Sequence, residues 1–344
     1  MREAGEMMAE PLKIIIPMAG FGARLRPHTW SRPKPLLSAA GDTILGHVIK
    51  LLQTAPGAKN AEMVFIVGYL GEQVQAYMQA EYPNINAHYV QQKELLGQSH
   101  ALAQAREYVH GPTLVIFVDT VVETDFSGLD KEEADAVAWV KAVEDPRRFG
   151  VAEVDKTGMV RGLIEKPSDM KNNLAVVGIY YFKRGEELMA AIDEQMKKNI
   201  QTKGEYFLAD AIDILLKKGL KMRTQAVEEW LDAGLPETVL ETNRRLLEKG
   251  RDNSAEAGKR AGVTIRPPVH IHPSATVENS TVGPYVSIGR DSIVRNSNIE
   301  DAVIESGAQI EDCVLKASLI GERSRVRGVN GEVNVGDDSQ VSGE

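Results

Sequence analysis

An α/β domain on a parallel or mixed sheet, followed by a parallel β-helix, is what this 344-residue sequence predicts. Three observations carry that expectation. Short apolar runs alternate with stretches of helical periodicity over 13–250, the pattern of a sheet with helices on both faces. The composition then turns polar and rich in small residues at 251–262, as in a linker. Beyond it, Ile265, Ile271, Val277, Val282, Ile288, Ile293, Ile299, Ile304, Ile310, Leu315, Ile320 and Val326 recur every five or six residues. That spacing belongs to hexapeptide coils that bury an apolar row only by stacking, and at about three repeats per coil it predicts roughly four coils.

The first strand carries Ile14, Ile15 and Ile16 before Pro17, a run short and apolar enough to be buried on both faces. The loop after it holds Gly20, Gly22, Arg24 and Arg26, with Lys34 between Pro33 and Pro35. Glycines let backbone N–H groups approach an anion and fixed cations neutralise it, so the composition is that of a polyphosphate cradle. A tight turn with surface arginines is the alternative. Neither common phosphate motif is present: Leu25 stands where a dinucleotide fingerprint needs its third glycine, and no G-x-x-x-x-G-K-[ST] occurs.

Helical spacing over 43–53 predicts a helix capped by Asp42 or Thr43. A strand is expected at 63–69, a helix at 70–80 and a third strand at 87–91. Gln91 and Gln92 close that strand, before Gly97 and a helix opening near Gln98. A glutamine amide can both donate to and accept from a nucleobase edge, with Gly97 admitting close backbone approach; plain surface glutamines are the alternative. The strand 113–118 ends in Asp119. Ligands of such sheets bind at the carboxyl ends of strands, where a carboxylate suits magnesium, although a turn aspartate reads equally well locally.

Further strands are expected at 136–143 and from Gly150 onward. In VRGLIEKPSD, Pro167 ends a strand and leaves Glu165 and Lys166 at its tip. The carboxylate can accept from sugar hydroxyls and the ammonium can pair with a phosphate. The apolar run 174–182 is interrupted by Gly178, which either admits a ligand or marks a bulge. Helices at 186–196 and 207–217, a strand at 221–225 and a helix at 237–248 complete the domain. Trp230 and Asp232 precede the last helix, and Asp232 is the second carboxylate to pair with Asp119. His270 and His272 have no cysteine or carboxylate companion at ligand spacing and read as turn residues at the start of the β-helix.

Composition bounds the function. With 43% hydrophobic and 26% charged residues the chain is ordinary globular material, and a net charge of -9 argues against a nucleic-acid backbone as partner. Cys313 is the only cysteine, which excludes an intramolecular disulfide and fits a reducing compartment. No apolar run reaches membrane-spanning length, and MREAGEMMAE lacks a signal-peptide core, so a cytoplasmic protein with no membrane association and a loose tail over 1–11 is expected.

Taken together, the Gly-rich loop with Arg24 and Lys34, the EKP at 165–167, LAVVGIYYF, GEYFLADAI, the W-x-D-x-G at 230–234 and the closing GDDSQV make a distinctive set. Over nearly all of 12–341 the chain resembles the sugar nucleotidyltransferases, in particular the long-form glucose-1-phosphate thymidylyltransferases. The resemblance implies a Rossmann-like mixed-sheet catalytic domain over 12–250, the linker at 251–262 and a left-handed β-helix over 263–344. It implies that Ala19, Gly20, Gly22, Ala23 and Arg24 hold the phosphates of a nucleoside triphosphate, with Lys34 bridging to the reacting phosphates. Gln92 and Gly97 would read the base, leaving dTTP and UTP both open. Asp119 and Asp232 would hold Mg²⁺, while Gly150, Glu165, Lys166, Gly178 and Trp230 would line the place of a sugar 1-phosphate, glucose 1-phosphate by family default. Two departures stand out: Ala23 replaces the usual threonine or serine, and Asp119 sits in VDT where a Gly-Asp pair is usual.

Two other functions fit parts of the chain. One is a bifunctional enzyme using the β-helix for acetyl transfer to an amino sugar, which needs a catalytic histidine where none follows His272. The other is a non-catalytic nucleotide-sugar-binding regulatory subunit. Either way the β-helix, with apolar surface left on its flat faces, is expected to assemble a homo-oligomer.

Overall fold

The computed structural model describes residues 10–343. They group into two compact units, one of 10–20 with 49–230 and the other of 21–48 with 231–343. The tail expected over 1–11 lies, but for its last two residues, outside the described residues.

The first unit is a nine-stranded mixed sheet: β1 (Lys13–Pro17), β2 (Glu62–Val67), β3 (Asn86–Gln91), β4 (Thr113–Ile116), β5 (Ala136–Ala142), β6 (Gly150–Val154), β7 (Val160–Glu165), β8 (Leu174–Phe182) and β9 (Met222–Ala226). The order is β7-β6-β8-β4-β1-β2-β3, with β5 on β8 and β9 on β5. β4, β1, β2 and β3 run parallel, and β8 lies antiparallel to β4 and β5. Ile14, Ile15 and Ile16 are wholly buried at the centre, each contributing about 1.5–3 kcal/mol. Ala101, Leu102, Leu188, Ile192, Leu208 and Ile212, from the helices Gln98–Gln104, Gly185–Lys197 and Leu208–Lys217, share one core with Ile15, Val64, Val115 and Tyr180.

β4 stops at Ile116 rather than at 118, although the Phe117 N–H still donates to the Gly178 carbonyl, 2.9 Å away, in the register that pairs Ile116 with Ile179. Gly178 has a positive φ of 81°, at the shift in register between Val176 and Tyr180. Gly178 thus sits at a bulge.

The second unit contains the β-helix. Its apolar columns are Val282–Ile299–Leu315, Ile271–Ile288–Ile304–Ile320–Val335 and Val277–Val294–Ile310–Val326–Val341, in register across parallel strands. One expected core position is corrected. Ile293 is only half-buried, level with Thr276 and Gln309, while Val294 is fully inside. A shift of one residue along a strand exchanges inside for outside, so the row steps by six and then five, not five and then six. The ladder also runs beyond the expected Val326 to Val341. Corners take left-handed Asn279, Asn296, Asp301, Asp312 and Asp338, residue types that tolerate positive φ.

The stretch 251–262, expected as a linker, is built into this unit. The helix Ser254–Ala257 buries Ala257 in the β-helix core. The Asn253 amide donates to the Ile271 carbonyl and accepts from its N–H, at 3.0 and 2.9 Å, and the Val269 N–H donates to the Asp252 carboxylate. The exposed edge of the first coil is thereby capped. His270 is likewise not a turn residue: it lies in the strand Val269–Ile271, and its ring fills the place where a Cβ on Gly41 would fall. His272 does turn, its Nδ1 2.8 Å from Ser274 Oγ. The exposed faces carry ion pairs, Glu278–Arg295, Glu300–Lys316 and Glu311–Arg327, instead of the expected apolar surface. Among the described residues, Val314 is the large apolar side chain substantially exposed there.

Candidate active site

In the first unit the expected residues gather at the carboxyl ends of strands. β1 leads to buried Ala19 and exposed Gly20, whose α-carbon faces open space. A Cβ on Gly68, just past β2, would lie 2.4 Å from the Ala19 carbonyl oxygen, so only glycine lets these two strand ends meet. The parallel strand β3 leads to Gln92, which is buried and held by a hydrogen bond from its N–H to the Val67 carbonyl. The Gln92 amide nitrogen lies 3.2 Å from His100 Nδ1. Gly97 is required for a reason within the chain: at φ 114°, a Cβ there would lie 2.6 Å from the Tyr206 backbone nitrogen and oxygen. Asp119, half-buried, lies three residues beyond the end of β4.

β7 carries the second group. A Cβ on Gly150 would fall 2.9 Å from Glu165 Oε2, so the absence of a side chain makes room for this carboxylate. Lys166, at φ 48°, turns its Nζ over the Phe207 ring, 4.4 Å from the centroid and 3.8 Å from Glu165 Oε1. Burial holds the Glu165 carboxyl up at about 6; Lys166 opposes that shift, while Asp210 and Glu205 add to it. Trp230 packs edge-on against Phe149, centroids 4.7 Å apart, and its Nε1–H is buried without a hydrogen-bond partner. An unsatisfied buried donor costs about 1–3 kcal/mol, which a ligand acceptor would recover.

In the second unit, Gly22 sits in a left-handed turn at φ 60° and its carbonyl accepts from Thr29 Oγ1 at 2.8 Å. A Cβ on Gly22 would lie 3.3 Å from Lys34 Cβ, so the turn and the lysine stem are near neighbours. Ala23 and Arg24 are exposed in the single helical turn that follows. Gly234 then joins two distant candidates. A Cβ placed on it would lie 2.7 Å from Asp232 Oδ1 and 3.2 Å from Arg24 Nη2, so guanidinium and carboxylate close on the same open position.

No cluster of three or more His, Cys, Asp or Glu that could hold a metal occurs among the described residues. Magnesium asks for less, because it keeps several waters and is commonly held by one or two carboxylates together with substrate phosphates. A carboxylate such as Asp119 in the first unit, or Asp232 in the second, has donor chemistry that suits it. Four contributors escaped sequence reasoning: Gly68, Phe149, Phe207 and Gly234. The last two lie inside GEYFLADAI and W-x-D-x-G, so the motifs were visible and the roles within them were not.

The profile of the family described as Nucleotidyl transferase matches residues 13–249. The chain belongs to the nucleotidyl transferase family. Relatives align over nearly the whole length. A glucose-1-phosphate thymidylyltransferase of Streptomyces griseus is 28% identical, the alignment covering 92% of this chain and 93% of that protein. The low-salt glycan biosynthesis nucleotidyltransferase Agl11 of Haloferax volcanii is 30% identical over 96% of this chain and 99% of its own. The crystal structure of a UDP-glucose pyrophosphorylase complexed with UDP-glucose superposes with a TM-score of 0.61 at 20% identity, over 70% of this chain and 99% of the other, which establishes a shared fold. Among the described residues no helix of this nucleotidyl transferase is long and apolar enough to cross a membrane.

Proposed function

We propose that this nucleotidyl transferase moves the nucleotidyl group of dTTP or UTP onto a sugar 1-phosphate, glucose 1-phosphate first, and releases pyrophosphate. The observation that carries the reading is the meeting of Arg24 and Asp232 across Gly234, a cation and a carboxylate poised for a metal-bound phosphate, in a chain whose full-length relatives are nucleotidyltransferases. A phosphate oxygen of the sugar 1-phosphate attacks the α-phosphorus, the bond to the β-phosphate oxygen breaks, and pyrophosphate leaves. The attacking oxygen is already anionic near neutral pH, so the reaction requires no general base and no covalent intermediate. What the chain supplies is alignment and charge neutralisation.

Ala19, Gly20, Gly22, Ala23 and Arg24 take the triphosphate in this reading, and Lys34 spans to the reacting phosphates. Gln92 and Gly97 take a base edge that offers both a donor and an acceptor, as thymine and uracil do. Glu165 accepts from sugar hydroxyls, Lys166 pairs with the sugar phosphate, Trp230 Nε1 donates to the same ligand, and Gly150 and Gly178 leave it room. Mg²⁺ on Asp119 and Asp232 would act as a Lewis acid toward the phosphate oxygens. The catalytic domain is 12–250, with 251–262 joining it to a β-helix over 263–344 through which we propose a homo-oligomer forms in the cytoplasm. Pyrophosphate release with dTTP, UTP and other triphosphates against glucose, N-acetylglucosamine and mannose 1-phosphates tests the reaction. Release with dTTP or UTP and glucose 1-phosphate is expected; a folded chain that releases none from any pair would overturn the reading.

A further inference from the structure

The segment from Phe21 to Val48 carries Gly22, Arg24 and Lys34, yet before its helix it has only two single 3₁₀ turns and a two-residue ribbon of regular structure. Ordering such backbone costs about 1–2 kcal/mol per residue, so something outside the segment must hold it. Within the second unit that support comes from the β-helix. Arg32 is buried, and its guanidinium reaches Glu305 at 2.9 Å, Glu322 at 2.6 Å and Asp337 at 3.6 Å. His28 Nε2 lies 2.6 Å from Asn334 Oδ1, and Ser31 Oγ donates to Asp337 at 2.8 Å. A Cβ on Gly336 would lie 3.0 Å from the Pro27 carbonyl oxygen, so the loop rests directly on coil backbone.

Glu305 is the centre of this contact. One carboxylate oxygen accepts from the Ser38 N–H at 2.8 Å; the other accepts from Ser38 Oγ at 2.7 Å and from Arg32 at 2.9 Å. It therefore grips the chain two residues before Lys34 and four residues after it. Only 5% of Glu305 is exposed, and a buried carboxylate is tolerable only with this degree of pairing. Among the described residues, the hydrogen bonds its carboxylate accepts all come from the Lys34 loop and none from the coil that carries it.

We propose that Glu305, a residue of the β-helix, is a positioning residue for nucleotidyl transfer: through Arg32 and Ser38 it fixes Lys34 and the Gly22–Arg24 turn. The β-helix is then part of the catalytic apparatus and not an assembly module alone. The inference rests on the proposed reaction, so its test has one arm that reads activity and one that does not.

Glu305→Gln and Glu305→Ala are made in the full chain, with Glu278→Ala, on an exposed β-helix ion pair, as control. Glu305→Gln keeps an acceptor for Ser38 and loses the charge facing Arg32; Glu305→Ala loses both. Displacing a catalytic group by about 1 Å costs on the order of 10²-fold in rate. Glu305→Ala is expected to lower kcat by about that factor, with KM for the sugar 1-phosphate within about twofold, and Glu305→Gln to fall between it and the unchanged control. Amide hydrogen exchange over 26–38 is expected to quicken in Glu305→Ala and, less, in Glu305→Gln, with the β-helix columns unaltered. Wild-type kcat together with unchanged exchange over 26–38 would overturn the proposal. Should the wild type release no pyrophosphate at all, the reaction assigned above fails, and the exchange arm still decides whether Glu305 holds the loop. If Glu305→Ala does not fold, Glu305→Gln with wild-type exchange and kcat would overturn it equally.

Discussion

Replacing Glu165 with glutamine should make the protein more stable and a worse enzyme. The Glu165 side chain is only 10% exposed, and burial raises its carboxyl from an ordinary 4.5 to about 6 even with the Lys166 ammonium 3.8 Å away. A carboxyl of higher pKa in the folded state binds its proton more tightly there than in the unfolded chain. Stability is therefore highest below about 4.5, falls as the pH rises toward 6 and stays reduced above it. At about 1.4 kcal/mol per pH unit the penalty above pH 6 is about 2 kcal/mol. Glutamine has nearly the same shape and nothing to ionise, so at pH 8 it should recover that amount, about 4 °C in Tm, and at pH 4.5 almost none. Thermal unfolding followed by circular dichroism at the two pH values reads the difference. Pyrophosphate release by the same variant should show a raised KM for the sugar 1-phosphate. A lower Tm at pH 8 would refute the reasoning, because Glu165 would then be a net stabiliser paired with Lys166 and not a strained ligand group.

Three further outcomes are expected. Asp119→Ala and Lys34→Ala should each lose about 10²-fold or more in kcat with unfolding curves like the wild type, and near wild-type turnover in both would sink the proposed reaction. Trp230→Phe removes the unpaired indole N–H, so stability should hold or rise by about 1 kcal/mol while KM for the sugar 1-phosphate increases; an unchanged KM would mean that the donor meets no ligand. Val294→Ala should cost about 2 kcal/mol and Ile293→Ala less than about 1 kcal/mol, and urea midpoints in the reverse order would contradict the register of the third column.

Features that rest on local chemistry were legible in the sequence. Three isoleucines before a proline suffice to define β1, since a run that short and apolar has few other uses, and Pro167 marks the end of β7 by removing a donor. The third column was misread at one point because Ile293 and Val294 are adjacent β-branched residues, and a repeat of five or six residues admits either. Asn253 was hidden for a different reason. Its composition is that of a linker, and its role depends on a backbone edge at Ile271 that exists only after the coil has formed. Arg24 and Asp232 were each visible as candidates, but their meeting depends on Gly234, whose contribution is a missing side chain.

The cap formed by Asn253 and the helix Ser254–Ala257 gives the β-helix a direction. A stack of parallel coils presents a strand edge at each end, and each edge can template another coil, from the same chain or from a neighbouring molecule. With both backbone groups of Ile271 engaged by one asparagine, the first coil offers no such template on that face. Length can therefore change by adding or removing coils at the far end, while the end capped by Asn253 stays closed to unwanted growth.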